Sequence, residues 1–126
     1  MIGILIMDLN ALTKQIIEKS FPELRQRDFH VSPSNNVPYN AFMAACLLEQ
    51  GDFSIFADKF SESYPEETIK RALAHELAHI ARSVKRWRIT ERLSKQLYHY
   101  FSFYRNYEER RTEQLAASRG YETPNI

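Results

Sequence analysis

Cysteine is nearly missing from this chain of 126 residues: a single one, Cys46, lies in the apolar run Ala41 to Gln50. One thiol closes no internal disulfide, so nothing in the chain calls for an oxidising compartment, and Cys46 reads as a buried core thiol. Long apolar stretches are missing too. None is long enough to cross a bilayer, and the opening MIGILIMDL lacks a basic start and meets Asp8 at once, which makes it a poor signal peptide. An excess of charge is also lacking: 17 basic residues against 16 acidic give a net +1, which removes the general case for a nucleic-acid partner. The expectation is a soluble, cytoplasmic protein without a membrane span. With 44% hydrophobic and 26% charged residues the chain has the means to fold, and its length fits one domain, residues 1–126, around one core.

What is present centres on ALAHELAHIARS, residues 72–83. His75 and His79 stand four apart, so on a helix both imidazoles face the same way, and Glu76 follows the first of them. In this H-E-x-x-H arrangement two ring nitrogens hold a zinc ion and the carboxylate reaches a water that the metal acidifies. An ordinary solvated helix also carries such a pentamer by chance. Leu77, Ala78, Ile80 and Ala81 argue against that reading, because they surround the polar groups with apolar surface, and buried polar groups need partners.

Along the chain, MDLNALTKQIIEKSFPEL reads as an amphipathic packing helix, capped by Asp8 or Asn10, with Leu9, Leu12, Ile16 and Ile17 at helical spacing up to Pro22. Residues 28–40 carry Pro33, Pro38 and several Asn and Ser, a short strand or turn followed by a loop; His30, without a neighbour at ligand spacing, reads as structural. The stretch from Ala41 to Gly51 is ambiguous between helix and strand, whereas Phe53-Ser-Ile-Phe alternates and reads as a strand, either an ordinary hairpin member or an edge to which an extended peptide adds itself. A long helix then begins behind Ser61 or Ser63 and Pro65, with two glutamates in its first turn and basic residues beyond its far end, where Arg82, Lys85, Arg86, Arg88 and Arg92 read as a solvated terminus. Most of residues 88–120 reads as helix, ending at Gly120. Its aromatic cluster, Tyr98, Tyr100, Phe101, Phe103, Tyr104 and Tyr107, suits a core or a homodimer interface better than a cofactor pocket.

A catalytic zinc takes a third protein ligand. Glu109 and Glu113 share a helix face four residues apart, so Glu109 can bind the metal while Glu113 accepts the N–H of a ligating histidine and fixes its tautomer. His99 is the competing third ligand, but no carboxylate follows it at helical spacing. A tyrosine or histidine at the cleft would steady the oxyanion, with His99, Tyr100 and Tyr104 as candidates.

HELAH followed by E-x-x-T-E-x-L-A-A-x-x-G-Y, and preceded by Pro38-Tyr-Asn-Ala-Phe and Phe53-Ser-Ile-Phe-Ala, resembles the gluzincin metallopeptidases over most of residues 36–121. The nearest likeness is to the soluble minigluzincins and to the catalytic domains of CAAX-protease and HtpX-like membrane peptidases. The resemblance implies a small zincin-like α+β domain, mainly helical, with a short sheet beside the active-site helix, a glutamate helix completing a Zn²⁺ site, and endopeptidase activity on peptide or unfolded protein. It also implies latency of the zymogen kind, with residues 121–126 as an inhibitory tail. The chain departs from the membrane relatives by lacking their spans and by having Thr112-Glu113 where they usually have Ala-Asp. Two other functions compete: a metal-stabilised, self-blocked interaction protein without turnover, and a helical binding module whose motif is coincidental.

Overall fold

The computed structural model describes residues 8–34, 43–47, 52–58, 64–85 and 88–121. It is a mostly helical α+β domain with one three-stranded sheet. Helix α1 spans Leu9–Ser20. Of the two caps the sequence offers, Asp8 is the one used, accepting the backbone N–H groups of Asn10 and Ala11, each at 3.1 Å. Leu9, Leu12, Ile16 and Ile17 face inward, and burial of an aliphatic side chain of this size contributes about 1.5–3 kcal/mol. Pro22 ends the run and opens a single 3₁₀ turn, Pro22–Leu24, whose Leu24 is fully buried beside Phe21.

Strand β1 (Phe29–Ser34) runs parallel to β3 (Phe53–Asp58), and β2 (Met43–Leu47) lies antiparallel on the other side of β3. The order is therefore β1-β3-β2, with β3 in the middle. Alternation decides which face is covered: Phe53, Ile55 and Ala57 are buried while Phe56 is exposed, and Val31 and Met43 join the same inner layer. Phe29 and Phe53, partners in the register, stack at 5.5 Å. The ambiguous stretch before Gly51 resolves in part as strand β2. Its Ala-rich sequence suits a helix equally well, and pairing with β3 supplies what local preference does not. The segment from Phe53 to Phe56, which its alternation allows as a substrate edge, is the central strand with both sides paired, so the sheet edge on the side of α2 belongs to β2.

Helix α2 (Glu66–Val84) is the spine of the domain. It packs on β2, on α1 and on α4, and residues from Ile69 to Ala81 are buried on almost every side. Glu66 and Glu67 occupy its first turn and pair with Lys70 and Arg71 one turn on, exposed contacts that contribute only tenths of a kcal/mol each, about 0.2–0.5. The capping serines expected here, Ser61 and Ser63, lie outside the described residues, as does Arg86.

The long final helix expected from residue 88 onward is two helices. Helix α3 (Arg88–Tyr100) and helix α4 (Ser102–Ser118) are separated by Phe101, whose backbone is extended at φ −122°, ψ 111°. Neither glycine nor proline marks this break. Arg105 stabilises it from α4, donating to the carbonyls of Tyr98 and His99 at 3.0 Å each, which are among the acceptors that a helix C-terminus leaves unpaired. The aromatic cluster is divided accordingly: Tyr98 and Tyr104 turn partly inward, whereas Tyr100, Phe101, Phe103 and Tyr107 are exposed.

Helix α4 lies against α2 through Glu108, Thr112 and Ala116, one residue per turn on a single face. It closes on Gly120, which takes the left-handed φ of +99° while the Tyr121 N–H reaches the carbonyl of Ala116 at 2.9 Å. Arg119 ties this end to the start of the fold: it donates to the Ser20 carbonyl at 2.7 Å, forms a two-pronged pair with Glu23 at 2.9 Å, and lies over the Phe21 ring.

Candidate metal centre

Helix spacing brings His75 and His79 onto one face of α2, their rings edge to face with centroids 4.9 Å apart. Opposite them α4 presents Glu109. Nε2 of His75 stands 2.8 Å from one carboxylate oxygen, and Nε2 of His79 stands 3.0 Å from the other. One ligand atom from each of the three residues lies within 4.8 Å of the others, so His75, His79 and Glu109 form a group that could hold a metal ion. His99 does not belong to it. Its ring rests edge-on against Tyr100 on an exposed turn of α3.

The chemistry of the donors fits a borderline divalent cation, for which imidazole and carboxylate are suitable ligands. Ligand atoms on a tetrahedral zinc at ~2.0–2.1 Å stand about 3.3–3.4 Å apart. The 2.8 and 3.0 Å contacts are tighter by a few tenths of an ångström, so a small outward movement makes room. A close imidazole–carboxylate contact is favourable with a proton between nitrogen and oxygen, and a cation takes that proton's place. Burial opposes charging of His75, but the Glu109 hydrogen bond and the charges of Glu76, Glu109 and Glu113 outweigh it and raise the pKa. Burial would likewise raise Glu109, yet hydrogen bonds from His75, His79 and Tyr98 hold its carboxyl far below the usual range.

Thr112 determines how His79 presents itself. The threonine hydroxyl donates to the Glu108 carbonyl at 2.8 Å, which leaves its oxygen to accept from Nδ1 of His79 at 3.3 Å. That contact keeps a proton on Nδ1, so if a cation replaces the Nε2 proton shared with Glu109 the freed lone pair would point at the centre of the group. The supporting role assigned to Glu113 from the sequence is thus filled for His79 by the neighbouring residue. Glu113 acts on His75 through its charge, while the buried Nδ1 of His75 has no hydrogen-bond partner among the described residues.

Three further residues belong to the surroundings. Glu76 is buried beside both histidines; desolvation raises its pKa, against the lowering influence of His79, His75 and the backbone amide of Ala45 in β2. Tyr98, reached from α3, donates its hydroxyl to Glu109 Oε1. Arg82, one turn after His79, turns inward and clasps Glu108 with two contacts of 3.0 Å, so the basic run after the motif is not wholly a solvated end. Of the oxyanion candidates read from the sequence, Tyr100 is 74% exposed and Tyr104 is engaged with Ser94 at 2.6 Å. Sequence reasoning missed Tyr98. Its signal is helical spacing: Ser94 and Tyr98 lie four residues apart, one turn, on the side of α3 that meets α4.

The expected inhibitory tail lies almost wholly outside the described residues, from 122 onward. Tyr121 itself is held at the far end of α4, its hydroxyl 3.4 Å from Ser20 Oγ at the end of α1. No helix among the described residues is long and apolar enough to cross a membrane. Fold and site together define a small α+β domain whose two-histidine, one-glutamate group is suited to a metal ion. Compared with protein-family models, with curated proteins and with solved structures, the chain matches none.

Proposed function

We propose that the protein is a zinc-dependent endopeptidase of the gluzincin kind, with a zincin-like arrangement of helix, sheet edge and glutamate helix. His75, His79 and Glu109 would hold the metal. The observation that carries this reading is the convergence of both Nε2 atoms on the Glu109 carboxylate, with Glu76 buried next to them.

When bound, zinc supplies a Lewis acid that acidifies water and polarises a carbonyl. The chain supplies the rest. Glu76 lies close enough to both imidazoles to feel their charge, and burial makes its carboxylate a stronger base than one in water. That suits a group that takes a proton from water and passes it to the leaving amine. Strand β2 offers a peptide a place to lie extended, since Ala45, whose amide reaches Glu76, is on the strand next to α2. Tyr98 places a hydroxyl in the site; its single proton goes to Glu109, and it would steady negative charge on the carbonyl oxygen only by turning from Glu109 once that carboxylate takes the metal.

Elemental analysis of protein purified without added metal, together with cleavage of an unfolded protein substrate, tests the reading. The parent should carry zinc and cut. Glu76→Gln should keep the metal and lose about 10²- to 10⁴-fold in turnover, the usual weight of a general base. A parent that carries no metal removes the proposal, and a Glu76→Gln variant that cuts as fast as the parent removes the role of Glu76.

A further inference from the structure

The hairpin formed by α3 and α4 has a feature that the metal centre does not use. Residues 92–107 contain no aspartate or glutamate, yet they carry Arg92, Lys95 and Arg105 and six aromatic residues. The structure sorts them. Tyr98 and Tyr104 are held by hydrogen bonds to Glu109 and Ser94, and Arg105 caps α3. Tyr100, Phe101 and Phe103 are gathered at the apex, where Tyr100 and Phe103 are 74% and 72% exposed. Exposed rings at a hairpin tip lose water-facing apolar surface only by meeting something else.

Charge narrows what that is. Lys95 sits five residues before Tyr100 on α3, about 7.5 Å behind it along the helix, and Arg92 lies one turn further back. On α4, Arg110 and Arg111 stand exposed about two turns behind Phe103. Of the carboxylates beside these residues, Glu108 is taken by Arg82 and Glu109 by the two histidines, while Glu91 before Arg92 and Glu113 one turn after Arg110 offset only part of the positive charge. The result is an aromatic tip with a basic collar one to two turns behind it. Two copies meeting tip to tip would bring these collars together in repulsion, which disfavours the homodimer expected from the aromatic cluster. An anionic bilayer surface suits both parts: phenyl and phenol rings settle at the depth of the headgroups, and lysine and arginine reach the phosphates above them.

We propose that the α3–α4 hairpin docks the protein on the surface of an anionic membrane, with Tyr100, Phe101 and Phe103 inserted at the interface and Arg92 and Lys95 among the lipid headgroups. This docking is peripheral and needs no span. It does not depend on the peptidase reading, although Tyr98 on the same helix would carry the membrane's position directly to Glu109.

Co-flotation of the full chain with phosphatidylcholine vesicles, with and without phosphatidylserine, tests it. Binding should require phosphatidylserine and weaken as salt is added, because surface charges are screened. Tyr100→Ser with Phe103→Ser should reduce partitioning at least about tenfold through lost insertion. Arg92→Glu with Lys95→Glu should also reduce it at least about tenfold, since each basic residue near such a surface is worth about fivefold in binding. Lys14→Glu with Lys19→Glu, an equal change of net charge placed on exposed α1 positions, should leave binding near the parent's. Failure of the parent to float with the anionic vesicles overturns the proposal, as does an equal loss in the α1 control. A concentration-dependent dimer in sedimentation that Tyr100→Ser with Phe103→Ser abolishes, without vesicle binding, assigns the tip to self-association instead.

Discussion

Glu108 and Glu109 are neighbours on one turn of α4, and the fold gives them opposite tasks. Glu108 is buried and meets the guanidinium of Arg82 in two parallel contacts of 3.0 Å, so its charge is answered by a cation that never loses its proton. Glu109 is about a third exposed and meets two imidazoles and a phenol. Those partners exchange protons easily. One carboxylate is closed and fixes how α4 sits on α2, while the other remains exchangeable. A single step along the helix, about 100° of rotation, separates a structural contact from a member of the group that could hold a metal ion.

Removing the two carboxylates in turn should separate these tasks. The largest effect is expected on metal affinity. Glu109→Ala should release its metal at a chelator concentration the parent survives, a loss well beyond the about 10- to 100-fold typical of a supporting residue, whereas His99→Ala should keep it. Metal content after dialysis against graded chelator measures this, and a site emptied by His99→Ala but not by Glu109→Ala would reverse the assignment. Next in size, Glu108→Ala should bind metal far better than Glu109→Ala yet unfold more easily, by about 3 kcal/mol, because Arg82 is left half-buried without its counter-charge. Urea denaturation of the two variants gives the answer, and equal stability would mean that both glutamates serve the same purpose. The smallest effect belongs to Thr112→Val, which keeps the shape and removes the acceptor from Nδ1 of His79. Metal affinity should fall by about 10- to 100-fold with stability little changed, and an unaltered affinity would show that the His79 ring is oriented by other contacts.

The sequence made some of this legible and concealed the rest for physical reasons. Helical spacing placed His75 and His79 on one face and the cap at Asp8 or Asn10, since both depend on neighbours within four residues. Glu109 was reachable by the same logic on a second helix. The break at Phe101 was not, because it rests on Arg105 capping α3 from the next helix rather than on a glycine or proline. Nor did the alternation of Phe53 to Phe56 reveal that β3 is the middle strand, for pairing on both sides is a matter of partners far along the chain. Thr112 stayed hidden behind its charged neighbour. A carboxylate draws the eye as a hydrogen-bond acceptor, but a hydroxyl whose proton is already given to a backbone carbonyl accepts just as specifically.

Asn10 sits at the edge of the sheet opposite to β2. Its side-chain amide accepts from the Val31 N–H at 2.9 Å and donates to the Val31 carbonyl at 3.1 Å, copying across the outer edge of β1 what a neighbouring strand would offer. Exposed strand edges invite stacking into aggregates, and proteins protect them with charge, proline or covering segments. Here one asparagine, at the second position of α1, occupies the middle of the edge and makes β1 a poor template for growth. Among the described residues the outer edge of β1 is thus answered from within the chain, by a side chain instead of a strand.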